Sequence, residues 1–83
     1  MHMRPAPAPR TLTVVVVSGG NMAKVIDTRS GSLINFIKPP GKIVSSPVIS
    51  GETVAFIVQE STNKKVGRVY NLRNAQLISL FTP

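Results

Sequence analysis

The sequence predicts an all-β protein, with about seven short antiparallel strands distributed over two repeated units. The first observation behind this is composition. From Thr11 onward Val, Ile and Thr are frequent, and turn residues arrive at regular intervals. The second is self-similarity. Ala23 to Pro39, AKVIDTRSGSLINFIKP, overlays Gly67 to Pro83, GRVYNLRNAQLISLFTP, without a gap at an offset of 69 − 25 = 44. Val25 then meets Val69, Arg29 meets Arg73, Leu33 meets Leu77 and Ile34 meets Ile78. Upstream, TLTVVVV from Thr11 overlays TVAFIVQ from Thr53 at 53 − 11 = 42, so the intervening loops are expected to differ by two residues. The third is the lack of helix signals: no long segment carries apolar residues at helical spacing behind a cap.

Taken in order, Met1-His2-Met3 reads as a vector-derived start. Arg4 to Arg10, RPAPAPR, reads as an extended Pro/Ala-rich linker, because proline fixes φ and lacks a backbone donor. Residues 1–10 are therefore set apart from a β domain over 11–83, with units of about 11–40 and 43–83. The first strand is expected from Leu12 to Ser18, closed by Gly19-Gly20-Asn21, and the second from Lys24 to Thr28, closed by Arg29-Ser30-Gly31. The third runs from Leu33 to Lys38 and stops at Pro39-Pro40-Gly41. The fourth, Ile43 to Ile49, contains Pro47 and is expected at an edge or bulged. After Ser50-Gly51-Glu52 the fifth runs from Thr53 to Gln59, followed by a polar loop from Glu60 to Lys65. The sixth is Gly67 to Leu72 and the seventh Gln76 to Phe81, joined by Arg73-Asn74-Ala75. Neither Val14 to Val17 nor Ala55 to Val58 alternates, which predicts strands buried on both faces, between units or within an oligomer.

A chain of 83 residues allows one domain at most. A domain of this size buries only ~60–65% of its unfolded surface, so it gains from disulfides, metals or partner subunits. There are no cysteines, and the one histidine, His2, cannot build a metal site alone, which leaves association. Ten Lys and Arg against three Asp and Glu give +7, a balance that suits an anionic partner. The basic residues are scattered, and only Lys64, Lys65 and Arg68 approach a local patch, which Arg73 extends. No apolar run is long enough for a transmembrane helix, and no apolar leader segment is visible.

A strand-rich period of about 40–45 residues is the spacing of a propeller blade. Lys42 to Val58, KIVSSPVISGETVAFIV, resembles the first two strands of a PQQ-like (quinoprotein-type) β-propeller blade: a small-residue pair and proline, an apolar strand, a Gly turn and a second apolar strand. Val25 to Leu33, VIDTRSGSL, resembles the third strand and turn of such a blade, in which Asp accepts backbone N–H groups and Gly tolerates φ > 0. In the second copy these become Asn71 and Ala75, a weaker turn signature. The tryptophan that closes the family's fourth strand is missing, with Phe36 and Phe81 near its place. The resemblance implies two blade-like units, one of four strands and one of three. Two blades do not close a ring, since propellers use about four or more. Either the units assemble between chains or the strands fold as a small closed β-sandwich or barrel. No residue here carries the family's quinone cofactor, and no cofactor is expected.

Chemistry is sparse. Asp27, Glu52 and Glu60 fall at turns or strand ends, with nothing to pair them across a cleft. A nucleophile at Ser45 or Ser46 has no histidine base in the domain. Ser18-Gly19-Gly20-Asn21 lacks the Lys-Ser/Thr of a phosphate loop. The expectation is a non-catalytic interaction or assembly module, joined by its linker as the C-terminal domain of a larger bacterial envelope or secretion-type component, with a periplasmic or envelope location. Its partners are protein subunits met by strand edges or sheet packing. The candidate edge is Val14, Val15, Val16 and Val17, four consecutive valines with no charge and no proline. The first unit also lacks the strand that Ile43 to Ile49 supplies to the second. The rival reading is a basic nucleic-acid-binding domain with Lys64, Lys65, Arg68 and Arg73 on phosphates and Tyr70 as its one stacking candidate, although a core or blade-contact role is the favoured expectation for Tyr70. Phe36, Phe56 and Phe81 are expected in the core.

Overall fold

The computed structural model describes residues 14–83. The predicted linker, with Leu12 and Thr13 of the predicted first strand, lies outside them. The described residues are all-β, in the order β1 (Val14–Gly19), β2 (Met22–Asp27), β3 (Leu33–Ile37), β4 (Lys42–Ile43), β5 (Val48–Ser50), β6 (Thr53–Ser61), β7 (Lys64–Asn71) and β8 (Leu77–Phe81). The first sheet has the order β1-β2-β3; the second has β6-β7-β8 with both β4 and β5 on the free side of β6. Every pairing is antiparallel, and no barrel closes.

Eight strands replace the expected seven because the fourth is broken. Ser45-Ser46-Pro47 interrupts it, as a proline without a ladder donor requires. At the break the Ser45 hydroxyl accepts the Ile57 N–H at 2.8 Å, while the Val44 N–H still donates to the Ile57 carbonyl at 2.9 Å. The side chain thus replaces one lost backbone acceptor. The polar loop expected from Glu60 to Lys65 is instead a tight hairpin: Ser61 pairs with Lys64 across Thr62 and Asn63. Two-residue turns also close β1 on β2 and β5 on β6. Gly20 (φ 59°) and Gly51 (φ 58°) hold the first central position of each, the left-handed geometry of a type II′ turn.

The ladders repeat at the offset seen in the sequence. Ala23↔Ile37, Lys24↔Phe36, Val25↔Asn35 and Ile26↔Leu33 become Gly67↔Phe81, Arg68↔Leu80, Val69↔Ser79 and Tyr70↔Leu77, each residue moved by 44. The bulge recurs too, at Val25/Ile26 and at Val69/Tyr70. So does the turn after it. Asp27 and Asn71 each accept an N–H two residues on through their side chains, both at 2.8 Å. Gly31 and Ala75 donate to the carbonyls of Asp27 and Asn71 at 2.8 and 2.9 Å. Ala75 keeps the left-handed conformation, φ 60° against 73° at Gly31, although it carries a Cβ.

The upstream overlay needs correction. Val14 pairs with Asp27 and Thr53 pairs with Asn71, so the first strands correspond at 53 − 14 = 39 and not 42. The difference, 42 − 39 = 3, is odd. Because successive strand residues face opposite ways, an odd slip exchanges the faces. Val15 and Val17 therefore match Val54 and Phe56, and Val16 matches Ala55.

One core joins the sheets: Ala23, Val25 and Ile37 from the first, Ile43, Val54, Phe56, Val58, Tyr70 and Leu72 from the second. Val14 and Val16 pack against it. The Asn35 side-chain amide crosses to the Leu72 carbonyl at 3.2 Å and to that of Arg73. Among the described residues each sheet is covered on one face only. β1 alternates half-buried and exposed, so the two-sided burial expected of Val14 to Val17 is not met here.

Candidate interaction surfaces

The two faces of the core interface are different faces of the repeated unit. The first sheet contributes Val14, Val16, Ala23, Val25 and Ile37. Their counterparts in the second sheet are Thr53, Ala55, Gly67, Val69 and Phe81, which lie on the side of that sheet away from the core. Conversely, the second sheet meets the first through Val54, Phe56 and Tyr70. Their counterparts Val15, Val17 and Ile26 lie on the outer side of the first sheet. The units are stacked front to back, like coins, and not face to face about a two-fold.

Each outer side is consequently apolar and open. On the first sheet Val15 is 43% exposed, Val17 52%, Leu33 46% and Phe36 46%, whereas Val54 and Phe56, the counterparts of Val15 and Val17, are 0% and 2%. On the second sheet the outer side carries Val48 (66%) and Phe81 (41%) with half-buried Ala55, Ile57 and Val69. The Phe81 ring lies directly over Gly67, where a Cβ would collide with it. A depression of about 500 Å³ continues this side beside Val44, Ile57, Lys65 and Pro83. Isolated exposed apolar residues are normal, but contiguous ones on a sheet face mark an interaction site.

The predicted edge is also in place. Among the described residues β1 pairs with β2 alone. Gly19 and Met22 flank a two-residue turn and form its hydrogen-bonded pair, so alternation sends the backbone groups of Val14, Val16 and Ser18 away from β2. Of the four valines, Val14 and Val16 anchor side chains in the core and Val15 and Val17 face outward.

The four predicted anion contacts do not form one patch, although Lys64 and Arg68 meet on Glu60. Lys64 and Lys65 lie at one end of β7, and Arg73 lies past the other end, roughly 25 Å away at the rise of an extended strand. Arg68 is on the core side of β7, its side chain 14% exposed, with Nη2 3.0 Å and Nε 3.2 Å from Glu60 Oε2 and Nη1 3.2 Å from the Tyr70 hydroxyl. Burial alone would lower its pKa, but the bonds to Tyr70 and Glu60 outweigh it and hold it above the ordinary arginine value. Lys64 shares Glu60 at 3.6 Å, and Arg73 Nε meets Glu52 at 2.7 Å. Lys65 alone of the four has no acidic partner among the described residues. Tyr70 is buried, stacked on Phe56 with centroids 5.4 Å apart, and is not placed to receive a base. The expected core roles of Phe36 and Phe81 are corrected in the opposite sense, since both are exposed.

The exposed residues that the sequence reading missed are Leu33, Phe36, Val48, Leu77, Leu80 and Phe81. Their signal was the strand alternation itself, usable only once the bulge after Val25 and the offset of 39 are known. Compared with known proteins, the chain matches no protein family, no curated protein and no solved structure.

Proposed function

We propose that the chain is a non-catalytic protein-interaction module that holds subunits together by sheet packing and strand-edge pairing. The observation that carries this is a missing strand. β6 has β4 and β5 along its free side, while β1, its counterpart, has nothing there among the described residues. An added strand from a protein partner fits that edge by β-augmentation. The setting proposed for it is a larger bacterial envelope or secretion-type assembly. The nucleic-acid reading rests on the net charge of +7 alone, because the four cations that would carry it form no single patch and three face acids.

Amide exchange on the assembled protein tests the strand pairing. The Val16 and Ser18 N–H groups should be protected as strongly as those in the β1–β2 ladder. Ser18→Pro removes an outward donor, so it should weaken assembly while leaving Tm nearly unchanged; Val17→Pro removes a ladder donor and should lower Tm. Fast exchange at Val16 and Ser18 in the assembled protein would exclude the pairing.

A further inference from the structure

We infer that copies of this chain stack head to tail, the outer side of the second sheet of one copy covering the outer side of the first sheet of the next. The inference rests on the interaction-module reading but not on pairing at the β1 edge. Its occupant is fixed by the interface already inside the molecule. There, the side of the first unit that carries Val16, Val25 and Ile37 covers the side of the second that carries Val54, Phe56 and Tyr70. The first unit presents that second kind of side, uncovered, as Val15, Val17, Ile26 and Leu33. The second unit presents the first kind, uncovered, as Ala55, Val69 and Phe81. One used pair and one unused pair of the same two sides leave a continuation that a second copy supplies.

Both unused sides are apolar at matching positions and contain no acidic residue; the second carries two cations, Lys42 and Lys65, at its end beside Gln59. The first has one cation, Lys24, at the place where the covered counterpart carries Arg68. Inside the chain Arg68 is met by Glu60 and the Tyr70 hydroxyl, whereas Lys24 has no acid beside it among the described residues and carries its ammonium to the rim of the interface on its aliphatic stem. Such an interface is heterologous: it uses two different surfaces, so each copy keeps one of each.

This predicts a complementation experiment on the full chain. Sedimentation should show association that deepens with concentration. Phe36→Lys on the first outer side and Val48→Lys on the second should each weaken it by roughly tenfold or more, since an added ammonium is then buried with no acid on either side, at Phe36 directly across from Lys24. Both positions are exposed, and an unchanged Tm verifies that the variants fold. Mixing the two variants should give a 1:1 complex that grows no further, because each supplies the side the other has lost. A wild-type chain that stays monomeric at millimolar concentration overturns the inference. So does association that survives both substitutions, or variants that fail to complement. Ser18→Pro separates this from edge pairing: loss of association with Ser18→Pro but not with Phe36→Lys or Val48→Lys refutes the stacking and leaves the edge reading standing.

Discussion

At the scale of single residues, Ala75 shows how far the repeat constrains the backbone. Its φ of 60° places a Cβ in the left-handed region, which costs roughly 1–2 kcal/mol relative to glycine. Gly31 holds the same position in the first unit without that cost. The turn survives because the Asn71 side chain and carbonyl accept the N–H groups of Arg73 and Ala75, as Asp27 accepts those of Arg29 and Gly31. Ala75→Gly should therefore raise stability by about 0.5 kcal/mol, the relief of strain exceeding the added chain entropy. Gly31→Ala should lower it by about 1 kcal/mol. Denaturant midpoints of the two variants measure both signs, and a loss with Ala75→Gly would show that the methyl's packing against the core matters more than the strain.

Among the elements, the broken strand formed by β4 and β5 depends on one hydroxyl. Ser45→Ala leaves the half-buried Ile57 N–H without its acceptor, which should cost about 1–2 kcal/mol and lower Tm by roughly 5–10 °C. Ser46→Ala, at an exposed position, should change Tm little. Equal effects would mean that the break is held by Pro47 and not by Ser45. The sequence made the break legible through Pro47, and the third, sixth and seventh strands through short apolar-rich stretches between Gly, Pro and Asn clusters. It did not disclose the hairpin at Thr62-Asn63. Glu60, Lys64 and Lys65 look like loop residues by composition, yet Glu60 is positioned by Arg68 and Lys64 across the hairpin. Nor did it disclose the register of β1: four identical valines carry no alternation from which to choose a face. That choice also decided which valines form the candidate surface. Val15 and Val17 do, because the ladder turns Val14 and Val16 inward.

For the molecule as a whole, front-to-back stacking has a thermodynamic consequence. An array in which each unit touches only its neighbours has a stability set by two numbers, an intrinsic term per unit and a coupling term per junction. Two units have a single junction, so this chain sits at the lower limit of such an array. Among the described residues, all the buried apolar ones but Pro39 belong to the one cluster at that junction, which leaves the units little of their own to fold around. Their intrinsic term should be unfavourable, with the coupling term supplying the cooperativity. Residues 11–40 and 41–83 made as separate peptides should each show no cooperative melt, whereas mixing them should restore one whose midpoint rises with concentration. A transition in either peptide alone would mean that a three- or five-stranded sheet is self-sufficient. If both are silent until mixed, lengthening the array is the direct way to stabilise it: a chain extended by a further copy of 43–83 gains a second junction for one added unit, and its melting temperature should exceed that of the two-unit chain.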